Sequence, residues 1–382
     1  MLARRMVAIL PLVALLVAAC TSASNEPSGS TDASASGSAP AADCIVAVSW
    51  NNFQQPRWAR ADKPAMQDAV EAGGGTFIDA DANLDSLQQA TDIDSFIEQG
   101  ADVLVLLAQD GTAILPSVEK AKTAGIPVIA YDRLLEDPDI LYLTFDNQGV
   151  GVAEAEAILA AVPTGNYVVI KGDPGDANAT FLRDGFDVAG LQDAVDAGDI
   201  TIIYEEFTDA WSTENAEANM DAAIQLAKSQ GIEIDAVLSE NDSMALGVVA
   251  SLTKEGLQGT VPVSGQDGDF ANLNNVAKGL QYVDVWKDAF ALGKTAGEAA
   301  LQLCAGKTNA EVTAPDGLGL AAPAAGTATT DFETPGGNTV KSIILTPTPV
   351  TFDTLDLVVD SWIPKADLCA GVDAASAPDA CK

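Results

Sequence analysis

Histidine is absent from all 382 residues. That removes Ser-His-Asp and Cys-His nucleophile schemes and every metal site that needs an imidazole. Bases are scarce too: 19 Lys and Arg stand against 55 Asp and Glu, for a formal net charge of -36. A chain so acidic repels phosphate backbones, so no nucleic-acid partner is expected. Acidity also serves solubility and salt tolerance, so it identifies no function by itself. There is no GxxxxGK[ST] phosphate loop, and "GVGVAE" from Gly149 lacks the third glycine of a dinucleotide loop. "DADANLD" (Asp79–Asp85) spaces its acids like a calcium loop, but Leu84 stands at the glycine position and Ala90 at the terminal glutamate position. No serine elbow or metal-ligand cluster stands out. No cofactor, no metal and no catalysis are expected, which leaves an isomerase or lyase on an α/β scaffold as the weaker rival class.

Cysteine is also sparse, with five in the chain. The first closes "MLARRMVAILPLVALLVAAC", in which Arg4 and Arg5 precede an apolar stretch, Met6–Val17, too short for the ~20 residues of a membrane span. Residues 1–19 therefore read as a secretory signal. "VAAC" matches the bacterial lipobox, so Cys20 is expected to be acylated, and two or three acyl chains anchor firmly. The Ser, Ala, Gly and Pro-rich stretch that follows, to residue 43, reads as a flexible tether. The expected location is extracytoplasmic, lipid-anchored at the outer face of the cell membrane. Export makes two disulfides plausible among Cys44, Cys304, Cys369 and Cys381, with three connectivities open. Cys369 and Cys381 are near enough in sequence to close a small loop, which would leave Cys44 for Cys304.

From Ile45 onward, β-rich apolar runs alternate with helical patterns. "IVAVSW", "TFIDA", "DVLVLLA" and "PVIAY" precede a link near 146–151, then "YVVIKG", "TIIYEEF", "AVLSEN", "VPVSGQD" and "QYVDVWK" resume the rhythm. Apolar runs buried on both faces and separated by amphipathic helices specify parallel, doubly wound α/β sheets. Two such series predict two similar lobes. Between about 311 and 340 the pattern dissolves into a loop or hairpin excursion. "SIILTPTPV" returns as a strand, and the tail is expected to hold one short helix near 355–360.

In open parallel sheets, ligands bind beyond the carboxyl ends of the strands. The residues found there are Asn51, Asn52, Arg57 and Trp58; Gln109 and Asp110; Asp132 and Arg133; Asp173, Asp176, Asn178 and Arg183. They continue with Asp209 and Trp211; Glu240, Asn241 and Asp242; Gln266 and Asp267; and Lys287. Carboxylates, amides and guanidinium groups beside tryptophan are what a sugar asks for: paired hydrogen bonds to neighbouring hydroxyls, and an indole against the C–H face of the ring. Any single one of these residues reads more readily as a turn or N-cap residue than as a ligand contact. Asp242 looks like an N-cap, and Trp286, inside a strand, looks like packing. The repetition across both halves is what favours a site.

Taken in order, "VIAYDR", "LTFDNQGVG", "GNYVVIKGDPGDANATFLRDG", "VLSENDSMALG", "VPVSGQDGD" and "VWK" resemble the D-xylose-binding proteins of bacterial ABC importers, among the type I periplasmic binding proteins. The resemblance runs from about 45 to 303. It implies two α/β lobes joined by three crossovers and closing on one sugar: residues 44–146 with about 288–345, and about 147–287 with 346–382. The crossovers would fall at "FDN", near Lys287 and after "SIIL". It further implies a sugar site of Arg57, Trp58, Asp132, Arg133, Asn178, Arg183, Trp211, Asn241, Asp267 and Lys287, with one tryptophan per lobe sandwiching the ring. The implied function is a monomeric binding protein that delivers D-xylose, or a related monosaccharide, to a membrane-embedded ABC permease. Presenting sugar to a signalling receptor would use the same closed lobes. "SWNNFQQP" before Arg57, the 311–340 excursion and the cysteines depart from the family pattern.

Overall fold

The computed structural model describes residues 44–321, 323 and 325–382. The signal segment, Cys20 and the tether lie outside the described residues. The strands are β1 (Ile45–Trp50), β2 (Thr76–Asp81), β3 (Val103–Leu106), β4 (Val128–Tyr131), β5 (Leu141–Phe145), β6 (Gly165–Lys171), β7 (Ile200–Phe207), β8 (Ala236–Ser239), β9 (Val283–Trp286), β10 (Thr330–Glu333), β11 (Thr339–Leu345) and β12 (Thr348–Thr351).

One sheet runs β10-β11-β5-β4-β3-β1-β2, parallel except for β10. Its central strands carry apolar residues on both faces, and alternate residues feed two cores. Val46, Val48, Val103 and Val105 pack with Met66 and Leu292, from the helices Lys63–Ala72 and Ala289–Cys304. Ala47, Leu104 and Leu106 pack with Ile93 and Val118, from Ser86–Glu98 and Leu115–Thr123.

The other sheet runs β7-β6-β8 in parallel. Single bridges, Val237 to Val263 and Gln266 to Val285, extend it to the antiparallel pair β9 and β12. The chain passes between the sheets at Asp146, at Lys287–Asp288 and between Leu345 and Thr348. This is the doubly wound, three-crossover arrangement that the resemblance implies.

The sequence pattern misses several elements. A helix, Asn147–Ala161, starts where a link is expected, capped by the Asp146 carboxylate on the Gly149 N–H. Its glycines do not loosen it but admit a neighbour. A Cβ on Gly151 would lie 2.1 Å from the Leu182 carbonyl oxygen, and one on Gly185 2.3 Å from that of Gln148. The helices Leu191–Ala197, Phe270–Ala277 and Ala289–Cys304 are also unforeseen. The excursion resolves into the antiparallel β10–β11 hairpin. The tail holds a 3-10 turn at Phe352–Leu357 and a short helix at Lys365–Leu368, not a helix at 355–360. Disulfides join Cys44 to Cys304 and Cys369 to Cys381.

Candidate functional site

Between the carboxyl ends of the two sheets lies a cavity lined mainly by polar side chains. The first sheet supplies Arg57 and Trp58 from the segment after β1, and Asp132 and Arg133 from the end of β4. Arg57 is buried and its guanidinium is the hub. Nη1 donates to Asp267 Oδ1 at 2.9 Å, across the lobes; Nη2 and Nε donate to the Asp62 carboxylate at 3.0 and 3.2 Å; and Asp132 Oδ2 stands 3.5 Å from Nη2. The guanidinium also stacks 4.2 Å over the Trp58 ring. Burial pulls the Arg57 pKa down, but Asp62, Asp132 and Asp267 outweigh it, so the group stays charged well above its ordinary range. For Asp62 burial wins against Arg57 and the Tyr131 hydroxyl, lifting it to about 6.

The second lobe answers with Asp176, Asn178, Trp211, Asn241, Gln266 and Asp267. Asp176 caps the helix Ala177–Val188 through the Asn178 N–H, and its Oδ2 lies 3.0 Å from Arg133 Nε. The Asn178 amide donates to the Asp132 carbonyl oxygen at 3.2 Å. It accepts from Asn147 at 2.9 Å, and Asn147 accepts from Lys287 Nζ at 2.9 Å. Burial raises the carboxyl pKa of both Asp176 and Asp267, against Arg133 in the first case and Arg57 and Lys287 in the second.

Backbone conformation marks the same place. Seven described non-glycine residues have positive φ, and three of them, Asp132 (63°), Trp211 (53°) and Asp267 (116°), line the cavity. Such conformations are uncommon and persist where surrounding structure enforces them. Buried polar atoms are also left open: Gln266 Oε1 and Trp211 Nε1 have no hydrogen-bond partner, and Asp132 Oδ2 has only its ion pair with Arg57. Buried polar groups are ordinarily paired, so these atoms around one cavity leave room for a ligand's donors and acceptors.

Nine of the ten residues singled out from the sequence line this cavity. The exception is Arg183, whose guanidinium pairs with Glu205 at 3.1 Å and Asp187 at 2.5 Å on the outer side of its helix. Five residues beyond Asn178, it lies about 140° further round a helix of 3.6 residues per turn. The capping assignment shifts by one residue, because Asn241 Oδ1 accepts from the Met244 N–H. Asp242 is instead buried, accepting from the Asp269 N–H and the Gln281 amide. Trp286 packs on Trp362 at 5.6 Å. Gln55, Asp176 and Gln266 also line the cavity but are not among the ten. Asp176 and Gln266 carry the strand-end signal, whereas Gln55 lies in the "SWNNFQQP" departure and has none.

Residues 46–308 match the family described as periplasmic binding protein domain. The D-xylose-binding periplasmic protein of Escherichia coli (strain K12) is 35% identical over 282 residues, 73% of this chain and 84% of the relative. A multiple sugar-binding periplasmic receptor of Rhizobium radiobacter is 30% identical over 69% of this chain and 78% of its own. An ABC transporter solute-binding protein from Clostridium phytofermentans, solved with bound β-D-glucose, superposes with a TM-score of 0.73 at 29% identity, covering 85% of this chain and 99% of that one.

Proposed function

Because this chain belongs to the periplasmic binding protein domain family, we propose that it captures one monosaccharide, D-xylose first among the candidates, outside the cytoplasm and hands it to an ABC permease. Acylation of Cys20 would hold it at the outer face of the membrane, with the folded part acting as a monomer. The carrying observation is the cavity itself. Its walls offer Asp, Asn, Arg and Lys for hydroxyl pairs and one indole from each lobe for the ring faces. Arg57, Trp58, Asp132, Arg133, Asn178, Trp211, Asn241, Asp267 and Lys287 are the proposed contacts. The role assigned is binding, with no catalysis.

A pentose lacks the hydroxymethyl arm of a hexose, so a cavity closed at that edge discriminates by exclusion. Calorimetric titration with xylose, glucose, ribose, arabinose and galactose tests the reading. The expected result is tight xylose binding, with glucose as a weaker second ligand. Tight ribose or galactose binding without any for xylose would remove the assignment.

A further inference from the structure

Gln55 carries no strand-end signal and is buried at the cavity wall. Its amide is used at both ends. Oε1 accepts from the Trp58 indole N–H at 3.3 Å, and Nε2 donates to the Ala210 carbonyl oxygen at 3.2 Å. Trp58 belongs to the first lobe and Ala210 to the second, immediately before Trp211. The turn that Gln55 reaches is a constrained one. Ala210 and Trp211 both have positive φ, 60° and 53°, and the Ala210 N–H donates to Asp173 Oδ2 at 2.5 Å. Behind the Trp211 ring the wall is backbone, since a Cβ on Gly172 would lie 2.1 Å from Cη2. The indole is therefore fixed by its turn and its backing, and the Ala210 carbonyl of that turn meets Gln55.

We infer that Gln55 is a latch between the lobes, a positioning residue that ties the two tryptophan walls together in the closed state without itself contacting the sugar. Its chemistry suits that role. Its primary amide presents a donor and an acceptor on separate atoms, and Asn, the other such side chain, is one methylene shorter. Glutamate would set a carboxylate against the Ala210 carbonyl, and leucine would keep the bulk but lose both bonds. The other polar links between the lobes, such as Arg57 to Asp267 and Asn178 to Asp132, use groups proposed to face the sugar. Those of Gln55 are satisfied by protein alone. Contacts that exist only when the lobes are together stabilise the closed state, whatever it holds, and act on opening rather than on encounter.

The inference rests on the proposed sugar-binding function for one of its tests but not for the other. In stopped-flow experiments with D-xylose and D-glucose, Q55L is expected to raise the dissociation rate about fivefold, the equivalent of the one ordinary hydrogen bond that crosses between the lobes. Association should change little, and both sugars should be affected by the same factor. Q55N, polar but too short to span, should behave like Q55L. An unchanged dissociation rate, or a change that alters the xylose-to-glucose ratio, would overturn the latch in favour of an inert or ligand-contacting Gln55. A lowered sugar-free melting temperature with unchanged dissociation would make Gln55 merely structural. The second test needs no sugar. Spin labels at Leu87→Cys and Val188→Cys, exposed on helices of the first and second lobes, should report longer distances in Q55L than in the parent. If neither sugar binds the parent, the functional reading falls and these distances alone decide: a shift supports the latch and identical distributions overturn it.

Discussion

Arg57 holds three carboxylates on one guanidinium, and this decides which substitutions are informative. Removing Arg57 would strand buried acids and unfold the region. Removing the charge of Asp267 leaves Arg57 with Asp62 and Asp132. Asparagine is the better replacement, because residue 267 has φ of 116° and Asn tolerates positive φ where alanine does not. Asp267→Asn should keep the fold and weaken xylose binding by at least ~10-fold, since a charged hydrogen bond contributes roughly 1.5–3 kcal/mol; isothermal calorimetry checks it. Trp211 is less separable than its sequence context suggests. It lines the cavity yet belongs to the second lobe's core, so Trp211→Ala should lower sugar-free stability by about 3–5 kcal/mol as well as affinity. Gly172→Ala tests the wall more cleanly. The added methyl would meet the indole from behind and push it into the cavity, so xylose affinity should fall although residue 172 is not among those lining it.

The Cys44–Cys304 bridge ties the residue before β1 to the last residue of the helix Ala289–Cys304, closing a separation of 260 residues. It therefore staples the start of the first lobe to the helix that returns after the second crossing. Cys369–Cys381 spans only 12 residues within the tail. In the chain-entropy picture, stabilisation grows with the logarithm of loop length, from about 3 kcal/mol for a short loop to about 5 for a long one. The Cys44→Ser, Cys304→Ser protein should thus melt earlier than the Cys369→Ser, Cys381→Ser protein. Differential scanning calorimetry decides, and the reverse order would mean that the tail bridge carries strain relief or packing beyond loop closure.

Acids outnumber bases among the buried charged groups of the described residues, as they do in the whole chain. Burial raises the carboxyl pKa of Asp62, Asp176, Asp267, Glu154 and Glu240, and of the abutting group Asp242, Asp269 and Asp284. A raised carboxyl binds its proton more tightly folded than unfolded. Its stabilisation is complete below the ordinary carboxylate range and is lost as pH rises through the folded value, about 6 for Asp62. The melting temperature should therefore fall between pH 5 and pH 8. Repulsion within a net charge of -36 works in the same direction, but salt screens the exposed charges far more than the buried ones. A slope that persists in high salt and flattens in Asp284→Asn, whose amide can still accept from the Gly268 N–H, would assign it to the buried acids. Among the described residues no helix is long and apolar enough to cross a membrane. The proposed anchor is an acylated Cys20, and Cys20→Ser should abolish palmitate labelling and release the protein from cells.

The lobes were legible because burial on both faces forces a sheet strand such as Val103–Leu106 to be apolar throughout, and four such residues in a row are visible in any sequence. Strand-end polarity likewise announced Asp132, Asn241, Asp267 and their neighbours. The helix Asn147–Ala161 was hidden because its glycines serve close packing against Leu182, a partner far along the chain. Arg183 was misread because its face depends on where its helix docks, and Gln55 was missed because its two partners lie three residues away and 155 residues away. Local pattern records how a residue meets its own element and the core beneath it. Which polar side chain meets which across the cleft is decided only when the two lobes come together in the tertiary structure, because those contacts leave no period in the chain.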